Sequence, residues 1–451
     1  MTLAEQLVEI AQRPKGDADL SRAALHLMDW LGCIAAAQAS PAGQAALRYG
    51  GWADLGVGFA QAQRADDLAF VTGALGNVLE MDDLHRASLL HVGDVVCPAA
   101  LAAALAQSAS GPALLAALVS GYEVAIRIGR AAAAQGYAPW YNSATCGVFG
   151  AAMAAAEIAG LAQPAEALAQ AGMGASGIWQ CRLDPGTGKQ LATALAARNG
   201  VAAADLVRAG FTGPRHILEG DLGFFATYYP EAALAEVSAR PDAPFALHEV
   251  SFKPYPACRH THAAIAAALE LPGPDPQRVE VMTYGAALAF CDAPAPDTAH
   301  GARFSLQHCV AVALARGAPK LADFDTEARQ DPVLSALRDR ISLREDPQMT
   351  AAFPRRMGAR VTLWDRDGQA HVLHRGTAPG DPEDPLSPTT LREKVLRNLT
   401  HGGASEEAAH ALIAACTALP EARDLTDLRA ALRRALSPQT APIGARDAAL
   451  L

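Results

Sequence analysis

The chain has 451 residues, of which 51% are hydrophobic, and its formal net charge at pH 7 is −10. This length and composition predict a globular protein with two domains, or one large and one small domain, each with a sizeable core. The acidic balance and the absence of any Lys/Arg run in the sequence argue against nucleic acid or an anionic membrane as the main partner, so we expect a small-molecule ligand. Residues 1–20 are interrupted by charges, which predicts neither a signal peptide nor a membrane anchor and favours a cytoplasmic protein.

Apolar residues recur at helical spacing through most of the first half of the chain. Glycines and prolines separate the runs, and the abundance of alanine favours close packing of helices. The runs lie at residues 23–37, 99–107, 112–131, 147–158, 165–177 and 191–206. They predict a large all-α domain over residues 1–250, which helices at residues 388–445 complete.

The pattern changes near residue 250. Residues 278–284 have the β-branched pattern of a strand, and residues 360–364 and 369–374 alternate in polarity on either side of Asp365-Arg366-Asp367-Gly368, which is typical of a hairpin. Helical runs at residues 261–271 and 304–316 lie between them. This predicts a smaller α/β domain over residues 251–387.

An unusual concentration of ionisable groups lies between residues 80 and 91. It contains Glu80, Asp82, Asp83, His85 and His91 in an otherwise alanine- and leucine-rich background. Carboxylates and imidazoles in one short segment can move protons or bind a metal. The alternative is a helix end followed by a solvated loop, in which Asp82 caps a helix or pairs with Arg86.

Cations that could hold an anionic ligand occur in two other segments. Lys253, Arg259, His260 and His262 surround a Pro-containing approach to a predicted helix, where a carboxylate or phosphate would be favoured. Lys189 follows a Gly-rich turn at the start of another helical run. The alternative for each is an ordinary solvated cation, and His260 in particular could face solvent.

Two sequence features do not indicate a cofactor or metal site. Residues 172–177 match G-x-G-x-x-G but follow a helical run instead of a strand, so we do not expect a dinucleotide there. The eight cysteines show no C-x-x-C pair and no repeated spacing, which argues against a zinc site, an iron–sulfur cluster or a disulfide framework.

Six blocks occur in an order that resembles the MmgE/PrpD family along most of the chain. That family includes 2-methylcitrate dehydratase, cis-aconitate decarboxylase and iminodisuccinate epimerase. The blocks are D-D-x-H at residues 82–85, the lysine at 189 after a Gly-containing loop, G-F-T-G-P at 210–214, K-P-Y-P at 253–256 with R at 259 and T-H at 261–262, F-S-L-Q at 304–307, and G-D-P-E-D-P-L-S at 380–387.

The resemblance implies a fold and a chemistry. The fold is mainly α, with a large helical domain, a smaller α/β lid domain, an active site in the cleft between them, and a homodimer. The chemistry is proton removal or addition next to a carboxylate of a di- or tricarboxylate, followed by loss of water, loss of carbon dioxide or epimerisation. No metal and no organic cofactor are expected.

The family pattern D-F-D-D-T-H falls on residues 80–85, with three departures nearby: Glu80 replaces its first Asp, Leu84 its Thr, and Val92 the Pro after the next histidine. Tyr141 stands where the family often has a histidine, and His308 where it has a tyrosine of the lid. A tyrosine has a reference pKa of about 10 against about 6.5 for histidine, so these exchanges put the substrates of named relatives in question.

The leading hypothesis is a cofactor-independent lyase of the 2-methylcitrate dehydratase type. A decarboxylase or an epimerase on a similar polycarboxylate is the alternative within enzymes, and a non-catalytic carboxylate-binding homologue is the alternative outside them. The residues expected to carry the chemistry are Asp82, His85, His91, Lys189, Tyr141 and His308, and those expected to bind substrate are Asp83, Lys253, Arg259, His262 and Glu80.

Overall fold

The computed structural model describes residues 1–184, 186–271 and 276–438, and the chain forms two compact units. The first unit contains residues 1–78 and 82–250 together with the helices from Pro388 onward, and the second contains Leu79–Met81 and Ser251–Ser387. The prediction of a mainly helical chain is confirmed, since one small sheet of four strands accompanies the helices in the described ranges.

Helices build the first unit. They are α1 (Leu3–Ala11), α2 (Asp17–Ala37), α3 (Pro41–Gly50), α4 (Leu55–Gln61), α5 (Ala65–Gly73), α6 (Gly93–Ala106), α7 (Gly111–Ala132), α8 (Asn142–Thr145), α9 (Gly147–Ile158), α10 (Pro164–Met173), α11 (Gly188–Arg208), α12 (Phe224–Tyr228), α13 (Ala235–Ser238), α21 (Pro388–His401), α22 (Glu406–Ala418) and α23 (Thr426–Ala435). Small residues let them approach closely. A Cβ added at Gly121 of α7 would lie 2.8 Å from the carbonyl oxygen of Gly150 in α9, so the two backbones meet where neither residue has a side chain.

Helix α7 is the long core helix of this unit. By length and composition alone it could cross a membrane, but 83% of its most apolar window is buried inside the protein. A core helix of a soluble protein meets the same criteria. Its start is fixed locally, because the Ser110 hydroxyl accepts a hydrogen bond from the backbone N–H of Ala113 at 3.3 Å.

A buried ion pair in α7 holds the segment that precedes the second unit in sequence. Arg127 donates to Glu123 at 2.6 Å and to the carbonyl oxygen of Ala239 at 2.6 Å. The second oxygen of Glu123 accepts from the backbone N–H of Ala246 at 2.6 Å. Each charge is therefore compensated in the core by the other and by backbone groups.

The second unit combines a sheet with short helices. Its elements are α14 (His262–Glu270), β1 (Arg278–Thr283), α15 (Gly285–Cys291), α16 (Ala299–Arg303), α17 (Leu306–Arg316), α18 (Thr326–Arg329), α19 (Pro332–Arg338), β2 (Ile341–Glu345), α20 (Pro347–Ala352), β3 (Ala359–Trp364) and β4 (Ala370–Arg375). The strand order is β2-β1-β3-β4, with β1 parallel to β2 and antiparallel to β3.

The strand predictions for this unit are confirmed for β1 and for the hairpin of β3 and β4. The hairpin closes because the Asp365 carboxylate accepts from the backbone N–H groups of Asp367 and Gln369, while Gly368 takes φ = 80°. Strand β2 was missed by the sequence analysis. Its sequence, Ile-Ser-Leu-Arg-Glu, is largely exposed and too polar to signal a strand without its parallel partner.

We expect the Arg127–Glu123 pair to contribute strongly to stability. Arg127→Met would remove the closer of two arginines beside the buried Glu123 carboxylate and leave Arg13, which lies 4.0 Å from it. We expect a loss toward the lower end of the range of about 3–5 kcal/mol in the free energy of unfolding. The matched control is Arg208→Met, which removes an exposed arginine 3.3 Å from Asp205 and costs less than about 1 kcal/mol. Urea unfolding followed by circular dichroism measures both variants, and equal losses would contradict the prediction.

Candidate active site

A tight loop presents His91 in the first unit. The backbones of His85 and Leu90 form a two-bond antiparallel bridge, with His85 N–H donating to Leu90 O at 2.8 Å and Leu90 N–H to His85 O at 3.3 Å. Leu89 takes φ = 54°, which lets the chain turn back within the loop. His91 follows directly, and its backbone N–H donates to the hydroxyl of Ser143 at 3.0 Å.

His91 is paired with a buried carboxylate. Its Nδ1 is hydrogen-bonded to Oδ2 of Asp82, whose side chain is fully buried, whereas the His91 side chain is 12% exposed. Because Nδ1 faces Asp82, Nε2 lies on the opposite side of the ring. A carboxylate that orients an imidazole in this way fixes its tautomer and stabilises its protonated form, which suits proton transfer.

Asp94, in the first turn of α6, is a third member of this cluster that the sequence analysis missed. It is 0% exposed, and among the described residues its side chain hydrogen-bonds to the carboxyl of Asp82, while no N–H group donates to either of its oxygens. Burial first, and then the nearby Asp82, raise the pKa of Asp94 well above its usual value. The signal available in the sequence was its position three residues after His91, at the start of an apolar helix.

Asp82, His91 and Asp94 also form a group of potential metal ligands. One ligand atom from each lies within 4.8 Å of the others. Carboxylate oxygen and imidazole nitrogen are suitable donors for first-row divalent metals.

Asp83 anchors the segment through three hydrogen bonds. Its Oδ2 accepts from Nδ1 of His26 at 2.7 Å and from the Tyr122 hydroxyl at 2.7 Å, and its Oδ1 accepts from the backbone N–H of Gly93 at 2.8 Å. Burial alone would raise the pKa of Asp83, but these hydrogen bonds outweigh burial and lower it. The contacts give Asp83 a positioning role at the start of α6, and its expected contact with substrate stays untested.

His85 is likewise engaged by its neighbours. Its Nδ1 lies 2.7 Å from the Ser88 hydroxyl, and its Nε2 lies 3.5 Å from Arg130 and 3.7 Å from Glu249. Burial is the main cause that lowers the pKa of His85. These contacts hold His85 within the loop, and its expected catalytic role stays a prediction.

Tyr141 lies beside His91, with ring centroids 6.4 Å apart. Its backbone N–H donates to the carbonyl oxygen of Gly177 at 2.9 Å, and the next residue, Asn142, donates to the carbonyl oxygen of Ser88 at 3.2 Å. The segment that carries Tyr141 therefore also supports the loop before His91. The structure brings Tyr141 close to His91, and its expected catalytic role stays a prediction.

Lys189 lies in the first turn of α11, at partial exposure. The next residue, Gln190, donates to the side-chain oxygen of Asn77 at 3.1 Å, and Thr193 donates to the carbonyl oxygen of Gly73 at 3.0 Å. These bonds hold the start of α11 against the end of α5. The positive charge of Lys189 partly offsets the rise in the pKa of Asp94, which places this lysine in the electrostatic environment of the cluster.

The second unit has its own buried charges. Lys253 lies 3.4 Å from Glu80, and both side chains are buried. Glu80 takes φ = 55°, an unusual conformation for a residue with a side chain. Arg259 pairs with Asp381, which also accepts from the hydroxyl of Ser251 at 2.7 Å.

His260 and His262 are both buried. Nε2 of His262 lies 3.0 Å from the carbonyl oxygen of Ala257, and burial lowers the pKa of His262 well below its usual value. His260 does not face solvent, because its Nδ1 lies 2.6 Å from the Tyr284 hydroxyl. The expected roles of Glu80, Lys253, Arg259 and His262 in binding substrate stay predictions.

His308 has structural partners at both ring nitrogens. Its Nε2 lies 2.7 Å from the carbonyl oxygen of Asp323, and Arg338 donates to its Nδ1 at 3.2 Å. Burial lowers the pKa of His308 to about 4, so the ring is neutral near pH 7. Both ring nitrogens thus have partners within the unit, and the catalytic role expected for His308 stays a prediction.

The burial of His26 makes stability depend on pH. Burial lowers the pKa of His26 to about 4 in the folded chain, against about 6.5 when unfolded. The unfolded chain therefore binds a proton first, and this group makes stability fall as the pH drops from about 6.5 to about 4. His26→Asn, which keeps an N–H near the position of Nδ1, should flatten that dependence.

Urea unfolding at a series of pH values measures the effect of His26→Asn. The control is His216→Asn, because the His216 side chain is 66% exposed. An identical pH dependence in wild type and His26→Asn would contradict the assignment of His26.

Comparisons with known proteins identify the family of this chain. The chain matches the MmgE/PrpD N-terminal domain over residues 2–236 and the MmgE/PrpD C-terminal domain over residues 255–419. It is 28% identical to cis-aconitate decarboxylase of Mus musculus over 354 residues, which cover 73% of this chain and 71% of the mouse protein.

Two further relatives match over shorter segments. The cis-aconitate decarboxylase-like protein oryM of Aspergillus oryzae is 31% identical over 175 residues, which span 36% of each chain. The 2-methylcitrate dehydratase of Salmonella typhimurium is 31% identical over 144 residues, which span 29% of this chain and 30% of that protein. Since the two domain matches together cover most of its length, the chain belongs to the MmgE/PrpD family.

Proposed function

We propose that this protein is a cofactor-independent lyase that removes a proton next to a carboxylate of a small di- or tricarboxylate and expels water. The observation that carries the proposal is the hydrogen bond between His91 and the buried Asp82 carboxylate. An imidazole has an ordinary pKa near neutrality, so it can take a proton from a carbon acid and return it to a leaving hydroxyl group. Asp82 would hold the ring and stabilise the imidazolium that forms.

The surroundings of His91 supply the other elements of this chemistry. The positive charge of Lys189 acts on Asp94 of the cluster, which supports a role in holding the substrate, since a carboxylate substrate needs a cation. The buried Tyr141, whose ring centroid is 6.4 Å from that of His91, can donate a hydrogen bond to a substrate oxygen. In this proposal Lys189 binds substrate, Tyr141 orients it, and His91 transfers the proton.

A decarboxylase is the second candidate, and one comparison favours it. The similarity to the mouse cis-aconitate decarboxylase covers 73% of this chain, whereas the similarity to the Salmonella 2-methylcitrate dehydratase covers 29%. Decarboxylation of a polycarboxylate would use the same cation and the same proton donor, since the carbanion left by departing carbon dioxide must be protonated. The reactions therefore differ in their products and not in the residues required.

Proton NMR in D2O distinguishes these reactions. The purified protein is incubated with 2-methylcitrate, citrate, cis-aconitate, malate and iminodisuccinate. A new vinyl signal from 2-methylcitrate or citrate supports dehydration, an itaconate-like methylene from cis-aconitate supports decarboxylation, and deuterium incorporation without a new compound supports epimerisation. Thermal stabilisation by one compound without any turnover would support a binding protein.

His91→Gln should lower kcat on whichever compound reacts by about 10²–10⁴-fold, because proton transfer by a positioned side chain contributes about that factor. The amide keeps some hydrogen bonding to Asp82 but cannot accept the proton. The matched control, His216→Gln, changes a histidine whose side chain is 66% exposed and should leave kcat unchanged. A His91→Gln enzyme with wild-type kcat would exclude His91 as the base.

Lys189→Met should chiefly raise KM, since it removes a charged partner of the substrate but no proton-transfer group. Hydrogen bonds to charged groups contribute about 1.5–3 kcal/mol, which corresponds to a rise of about 10-fold to 150-fold. Lys320→Met, at an exposed lysine of the second unit, serves as the control. Steady-state kinetics measures KM and kcat of both variants. An unchanged KM in Lys189→Met would contradict the assignment of Lys189 as a substrate-binding residue.

A further inference from the structure

We propose that Asp82, His91 and Asp94 bind a single divalent cation of the Zn²⁺ or Mn²⁺ type. The ligand atoms of the three side chains lie within 4.8 Å of one another. Ligands about 2.0–2.2 Å from a shared metal lie within about 4.4 Å of each other, so small side-chain rotations bring them into coordination distance. The cation would replace the proton that joins His91 Nδ1 to Asp82 Oδ2.

Asp94 is the observation that points to a ligand. It is completely buried, and within the described ranges the side chain that hydrogen-bonds to it is a second carboxyl group, that of Asp82, while no N–H group donates to either oxygen. A buried carboxylate without a donor is costly and needs either a proton or a cation for compensation. Its carboxyl group is directed toward Asp82 and His91, so a cation bound by all three would compensate both carboxylates at once.

The neighbouring acids of the same core are compensated in other ways. Asp29 lies 2.6 Å from the Nζ atom of Lys394, and Asp83 accepts three hydrogen bonds. The positive charge of Lys189 opposes cation binding at Asp94, although this lysine is partly exposed and therefore screened by solvent. Asp82 and Asp94 instead place two buried carboxyl groups against each other beside one imidazole.

The backbone holds the three side chains in place. His91 is fixed by the bridge that closes its loop and by Ser143, and Asp94 by the first turn of α6. Gly76 leaves the space for the Asp94 carboxyl group, because a Cβ at residue 76 would overlap Oδ1 of Asp94. Preorganised donors of this kind bind a metal with less loss of entropy on binding.

The donor set selects the class of cation. One imidazole nitrogen and two carboxylates suit Zn²⁺, Mn²⁺ or Fe²⁺, whereas Mg²⁺ and Ca²⁺ prefer oxygen ligands alone. Because binding uses the nitrogen and the carboxylate that the proposed reaction needs for proton transfer, the bound cation would inhibit the reaction and take no part in it. The cation site does not rest on the proposed function and is tested without substrate.

Isothermal titration of the chelator-treated full chain with ZnCl2 and with MnCl2 tests the site. The expected result is one high-affinity cation per chain. Asp94→Asn should weaken binding by more than about tenfold, since even residues that only support metal ligands contribute about 10–100-fold. Asp67→Asn, at an exposed aspartate of the same unit, should leave the affinity unchanged, and equal affinities in all three proteins would overturn the proposal.

A measurement on the unmodified protein covers the case in which Asp94→Asn does not fold. Crystals soaked in MnCl2 or ZnCl2 should show an anomalous scattering peak within coordination distance of Asp82, His91 and Asp94. Absence of a peak there, or a peak only at surface histidines, would overturn the site and indicate that a proton compensates Asp94. Neither result bears on whether His91 acts as the base, which the His91→Gln kinetics decide separately.

Discussion

The first unit depends on the compensation of carboxylates that it buries among alanine and leucine side chains. Asp83 is the central case, because three hydrogen bonds from His26, Tyr122 and the backbone of Gly93 tie together α2, α7 and the start of α6. A buried carboxylate with these donors is stable as the anion, and without them it would be very costly. The segment that leads from Asp82 to α6 is thereby attached to α2, to α7 and to the first residue of α6.

This constraint explains why the candidate chemistry lies where it does. With Asp83 fixed by its hydrogen bonds, the neighbouring Asp82 is buried with its carboxylate toward His91. The bridge between His85 and Leu90 closes the loop, so that the imidazole of His91 lies next to this carboxylate. The chemistry proposed for His91 and the cation proposed for the same cluster both follow from one property, which is negative charge buried beside an imidazole. A proton and a divalent cation would compete for it.

In the second unit, too, each of the buried charges described is compensated by a partner of opposite charge. Its conspicuous cations are engaged within the unit, since Lys253 pairs with Glu80 and Arg259 with Asp381. Ion pairs of this kind are weak evidence for stability but strong constraints on conformation, because removing one member leaves the other charge buried. A basic segment in the sequence therefore does not by itself identify cations that are ready to bind an anion.

The amino-acid sequence was sufficient to predict those helices, strands and turns that depend on neighbouring residues alone. Helices α7 and α9, strand β1 and the hairpin of β3 and β4 were predicted nearly to the residue, because hydrophobic period and turn chemistry act over a few neighbouring positions. The sequence also identified the segment from Glu80 to His91 as a concentration of ionisable groups. It could not assign partners within that segment, because the residue types of Asp82, Asp83 and His85 do not show which side chains they contact in the fold.

The hydrogen-bond and packing partners of these ionisable groups became known from the three-dimensional structure. It pairs Asp82 with His91, gives Asp83 and His85 to structural contacts, adds Asp94 to the cluster, and surrounds His308 with packing partners. Strand β2 likewise exists through its parallel partner and not through its own polar sequence. The physical reason is common to all of these: hydrogen bonds and burial depend on residues that are distant in the chain, whereas helix and turn propensities do not.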